Sequence, residues 1–81
     1  MPYIDQDARL RLAITYEPRT AGELNYLISL LIARFVKSGP LNYERLNAAM
    51  GAHVGAGREF YRRVVVPYEE RKMRSNGDIE W

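Results

Sequence analysis

The chain has 81 residues, a formal net charge of +2 and a sequence pI near 9.2. It holds no cysteine and a single histidine, His53. Disulfides, thiolate metal sites, cysteine nucleophiles and multi-histidine metal sites are therefore excluded.

This length fits one small domain, near the lower limit at which a core is stable without staples or partners. The basic excess is too small to argue for general nucleic-acid binding, which normally needs a larger one. The opening Met1-Pro2-Tyr3-Ile4-Asp5-Gln6-Asp7 has no basic stretch and no apolar run, so no secretory leader is expected. The longest mostly apolar run, Tyr26 to Val36, is interrupted by Ser29 and Arg34 and is too short to span a bilayer. A soluble cytoplasmic protein is the expectation.

Asp5 suits the N-cap of a short helix from Gln6 to about Leu12, with Asp7 in its first turn. Thr20 and Glu23 have capping-box spacing: the threonine hydroxyl accepts from the Glu23 amide, and the glutamate reaches back to the threonine amide. A long helix is predicted from Ala21 to Lys37, burying a stripe of Leu24, Leu27, Ile28, Leu31 and Phe35. Leu30, Ile32 and Val36 make its apolar face wider than one partner helix covers. Gly39 fits the position after this helix and Pro40 cannot continue it. Asn42 is a suitable N-cap for the next, with Leu41 and Leu46 spaced as a hydrophobic staple. That helix is predicted from Tyr43 to Val66, with Tyr43, Leu46, Met50, Val54, Gly57, Tyr61, Val64 and Tyr68 facing inward. Pro67 removes a helical hydrogen bond and predicts a kink near Val64–Val66. Helix resumes from Tyr68 to Arg74, ends at Asn76-Gly77, and leaves a tail whose Trp81 is expected to fold back.

The fold expected is all-α, a single domain over residues 1–81. Two long antiparallel helices (21–37 and 43–66) would pack with a short N-terminal helix and a C-terminal segment after the Pro67 kink. So many apolar side chains in two helices predict a homo-oligomer, a dimer before anything larger.

Four pieces in order, Met1-Pro2-Tyr3-Ile4, Gly22-Glu23-Leu24-Asn25-Tyr26, Glu59-Phe60-Tyr61-Arg62-Arg63 with Pro67-Tyr68-Glu69 and Lys72, and Asn76-Gly77-Asp78-Ile79, resemble a family of short bacteriophage and prophage proteins of uncharacterised function. The chain departs from that pattern at Val54 to Arg58, where the family carries larger, more polar helix formers, and at Glu80-Trp81. The resemblance implies a helical fold and a phage gene. Small phage proteins of this size often blunt host defence, some by sequestering signalling nucleotides.

The chemically loaded stretch is Glu59 to Lys72. Arginine offers a rigid fork for phosphate and stacks on flat rings, and tyrosine adds a ring and a hydroxyl. Arg58, Tyr61, Arg62, Arg63 and Tyr68, with Lys72 and with Asn25 on the other long helix, are the candidate ligand-binding residues. In a regular helix Arg58, Arg62 and the edge of Val65 share a face, and Gly51, Gly55 and Gly57, beside Ala48, Ala52 and Ala56, suit either tight helix packing or a clearing where a flat ligand lies on exposed backbone. The plainer reading is a solvated face in which Glu59 pairs with Arg62 and Arg63. Glu69 and Glu70 point about 100° apart and make no catalytic pair. No nucleophile–base or metal constellation assembles, so a non-enzymatic protein without cofactor is expected. Its partners would be its own copies and a small anionic nucleotide-like ligand, not a membrane, with a host-factor adaptor or a small nucleic-acid binder as alternatives.

Overall fold

The computed structural model describes residues 4–81. The family-like opening Met1-Pro2-Tyr3 lies outside the described residues. Among them there is no strand; the chain forms three helices, the last one bent. Helix α1 is Gln6–Thr15, α2 is Ala21–Lys37, and the third runs as α3, Tyr43–Phe60, then a π-turn at Tyr61–Val65, then α4, Val66–Asn76. The chain divides into two compact units, Met1–Ala49 and Met50–Trp81.

In the first unit Asp5 caps α1 as expected, accepting from the Ala8 amide at 2.9 Å. The helix runs one turn beyond the predicted Leu12, because Thr15 turns its hydroxyl back to the Arg11 carbonyl at 3.0 Å and Tyr16 ends it in the left-handed region at φ 53°. Thr20 caps α2 by accepting from the Glu23 amide at 3.1 Å. The reciprocal half of the capping box is different. Glu23 accepts from the Arg19 amide at 2.9 Å and pairs with the Arg11 guanidinium, so it ties α1 to α2. Arg11 also donates to the Glu17 carbonyl at 2.9 Å, and Arg34 donates to the Tyr16 hydroxyl at 2.9 Å.

These polar ties select which face of α2 is covered. Leu12 is fully buried, Leu27 is buried, and Glu23, Tyr26, Leu30 and Ala33 are half-buried beside it. Most of the predicted stripe is left open: Leu24, Ile28, Leu31 and Phe35 are 38–54 % exposed. They centre roughly 130° around the helix from the covered face, more than a third of a turn. The close backbone approach in this unit is between α1 and α2.

Arg45 fastens the start of α3. It donates to the Phe35 carbonyl at 2.8 Å and the Ser38 hydroxyl at 3.0 Å, and lies 5.0 Å from the Phe35 ring centre. An arginine on the next helix thus satisfies the open end of α2. Gly39 does not take a positive φ. A side chain there would meet the Arg45 guanidinium, the movable end of a flexible side chain, which would have to shift. Asn42 caps α3 through the Arg45 amide at 2.9 Å, while Leu41 stays exposed, so no staple with Leu46 closes.

In the second unit no residue is buried. The predicted inward residues Met50, Val54, Tyr61, Val64 and Tyr68 are all exposed within the single chain, and so are Tyr43 and Leu46 earlier on α3. Trp81 does not fold back; it is 97 % exposed. Gly77 ends α4 as expected, at φ 87°.

Candidate functional site

Pro67 shapes this part of the molecule. It has no amide hydrogen, and in a regular helix its ring would strike the carbonyl of Arg63. The chain neither stops nor breaks. It widens into a π-turn, in which the Val66 amide donates back five residues to the Tyr61 carbonyl. One extra residue in the turn rotates everything after it by about 100°.

That rotation decides which candidates meet. Val54, Gly57, Arg58, Tyr61, Arg62 and Val66 line one shallow, open concavity on the helix. Val66 takes the place expected for Val65, because the widened turn advances the register by one. Of the seven candidate residues, Arg58, Tyr61 and Arg62 are brought together here. Tyr68 would share the face of Tyr61 in a regular helix but is carried away from it. It stands in its own small cluster, with the Arg71 guanidinium 5.8 Å and the Lys72 ammonium 5.6 Å from its ring centre. Arg63 leans to Glu59, its Nε 2.8 Å from Oε2. Asn25 belongs to the first unit, where its side-chain oxygen accepts from the Ser29 hydroxyl at 3.3 Å.

The electrostatics of the concavity are uneven. Arg62 donates to both carboxylate oxygens of Glu59, at 2.9 and 3.1 Å, so Glu59 offsets charge on Arg62 and Arg63 together. The solvated, paired reading of this face is thus correct for those two. Among the described residues Arg58 makes no ion pair. The concavity combines one unpaired guanidinium, one paired guanidinium, a phenol ring and three apolar or bare positions. Such a set can seat a flat ring against Tyr61 and turn an anionic group toward Arg58.

Two residues that sequence reasoning passed over organise the first unit. Arg11 and Arg45 each reach to a neighbouring helix, and no periodic pattern marks them. Tyr26 is half-buried under the Arg9 guanidinium at 5.7 Å, with no hydrogen bond to its hydroxyl among the described residues.

No helix among the described residues is long and apolar enough to cross a membrane. Neither a curated protein nor a solved structure matches the chain. A family model does match, over residues 1–79, almost the whole length: the chain belongs to the family described as a domain of unknown function, DUF6899.

Proposed function

We propose that this protein is a non-enzymatic binder of a small anionic, nucleotide-like ligand. The observation that carries the reading is the meeting of Arg58, Tyr61 and Arg62 over the bare backbone of Gly57, with Val54 and Val66 as apolar walls. A base or other flat ring stacks on Tyr61 and the aliphatic stems, and phosphate is held by the fork of Arg58. The π-turn that assembles the concavity adds support, since such turns are frequent at functional sites. In this reading the protein is cytoplasmic and also forms a homo-oligomer of helices. Its biological role is sequestration of a signalling nucleotide, a phage-type counter-defence sponge.

Thermal shift against a panel of cyclic and ADP-ribose-type nucleotides tests it. A rise in Tm with at least one member, abolished by Arg58→Ala, is expected; no rise with any member rejects the ligand class.

A second reading is favoured by a different observation. The open stripe of Leu24, Ile28, Leu31 and Phe35 on α2 has the i, i+4, i+7, i+11 spacing by which one helix docks another. It fits an adaptor or inhibitor that grips a host protein. Capture of a defined host factor, lost in Leu31→Asp and kept in Arg58→Ala, would favour this reading over the first.

A further inference from the structure

We infer that the helix of the second unit pairs with the same helix of a second copy, antiparallel about a two-fold axis, through a seam of Met50, Val54, Gly57 and Tyr61. The inference rests on the oligomeric part of the reading above and not on the nucleotide.

The starting point is that past Ala49, which is buried, this helix covers nothing: no residue from Met50 onward is buried. Helices in proteins draw most of their stability from covering an apolar face. The face is present and open, since Met50, Val54 and Tyr61 are each about half exposed or more. Its shape points to another helix as the occupant. Val54, Gly57, Arg58 and Tyr61 stand at i, i+3, i+4 and i+7, the four corners of a hole that receives a side chain from a facing helix. Gly57 is its floor, with nothing within 4 Å of where a side chain would begin.

The spacing of Met50, Val54, Gly57 and Tyr61 is four, three, four, which reads the same in both directions. Two copies laid antiparallel therefore match. Val54 of each comes opposite Gly57 of the other, and Met50 opposite Tyr61. Large side chains meet the bare position, and the volumes complement. A parallel pair in register would instead set Gly57 against Gly57 and Tyr61 against Tyr61, a void beside a crowd. On the flanks Arg58 comes beside Gly51 of the second copy, and Phe60 beside its His53, so no two like charges meet. The π-turn ends the seam: past Tyr61 the helix face rotates, and Val64 and Tyr68 leave the line. Pairing covers Val54, Gly57 and Tyr61, so a second copy and a ligand compete for the same concavity.

Disulfide trapping in the full chain tests the register. The natural chain has no cysteine, so only introduced ones report. In the double variant Met50→Cys/Tyr61→Cys the two positions of one helix are about 16 Å apart, outside disulfide reach. Mild oxidation is expected to give a covalent dimer of twice the 9.4 kDa chain mass. Neither single variant should crosslink. Efficient crosslinking by Met50→Cys alone means a parallel pair and overturns the inference, and so does an uncrosslinked double variant. Sedimentation guards against misfolding in the trap. Gly57→Leu should raise the dimer Kd at least a hundredfold while Gly55→Leu, off the seam, leaves it within a fewfold; equal behaviour overturns the inference. A natural chain that sediments as a dimer while the trap fails rejects this register only. A natural chain that is monomeric at micromolar concentration rejects the oligomer itself. Binding in the nucleotide panel is scored separately, so failure of the oligomer and failure of the ligand reading stay distinguishable.

Discussion

Glu23 is the residue on which the first unit turns. It accepts from the Arg11 guanidinium and from the Arg19 amide, and these bonds, the arginine first, hold its carboxyl below the ordinary value of 4.5. A carboxyl with a lowered folded pKa adds stability above its unfolded pKa, and that stability is lost as pH falls through the folded pKa. Thermal unfolding followed from pH 7 to pH 3 should show Tm falling below about pH 4.5, and Glu23→Gln should flatten that fall. Leu12 is the fully buried side chain of the unit. Leu12→Ala should cost about 2–5 kcal/mol in denaturant unfolding, the range for emptying a leucine site. The glycines separate helix propensity from packing. Gly55 and Gly57 both have open space where a side chain would begin. Gly55→Ala should stabilise the helix by roughly 1 kcal/mol. Gly57→Ala should gain less, because in the paired form its methyl meets Val54 of the second copy.

At the scale of elements, the caps were legible because each is a local rule: Asp5, Thr20, Asn42 and Gly77 end helices where a side-chain acceptor or a positive φ is needed. The covered face of α2 was not legible. Leu24, Ile28, Leu31 and Phe35 form the better apolar stripe by periodicity, but the Arg11–Glu23 and Arg34–Tyr16 ties dock α1 more than a third of a turn away. Pairings across the Pro18 connection have no sequence period to reveal them. The site was half legible for a similar reason. Arg58, Tyr61 and Arg62 were found by residue type and spacing. Tyr68 and Lys72 were grouped with them because regular helix geometry was assumed through Pro67, and the π-turn breaks that assumption. Pro67→Ala should restore a regular helix, raise its stability by up to roughly 3 kcal/mol in thermal unfolding, and rotate Val66 out of the concavity. Ligand affinity should then fall although no arginine is touched.

For the whole molecule, the sequence carries more apolar surface than the described residues bury. The open stripe on α2 and the open seam on the third helix are separate surfaces, each with the spacing of a helix-docking face. The sequence announces that excess by composition alone, and this is why an oligomer was expected. It does not say which face pairs, because that depends on where α1 docks and where the π-turn falls. Membership of the DUF6899 family extends over residues 1–79, so the seam and the concavity both lie inside the matched length.

The central claim is that Arg58, Tyr61 and Arg62 hold a nucleotide-like anion. Titration calorimetry of the natural chain against cyclic dinucleotides, cyclic mononucleotides and ADP-ribose derivatives tests it most directly, with Arg58→Ala and Arg62→Ala titrated alongside. The account predicts saturable binding of at least one of these with micromolar or tighter Kd, weakened at least tenfold by each substitution and most by Arg58→Ala. No binding across the panel, or binding that both substitutions leave unchanged, would contradict it.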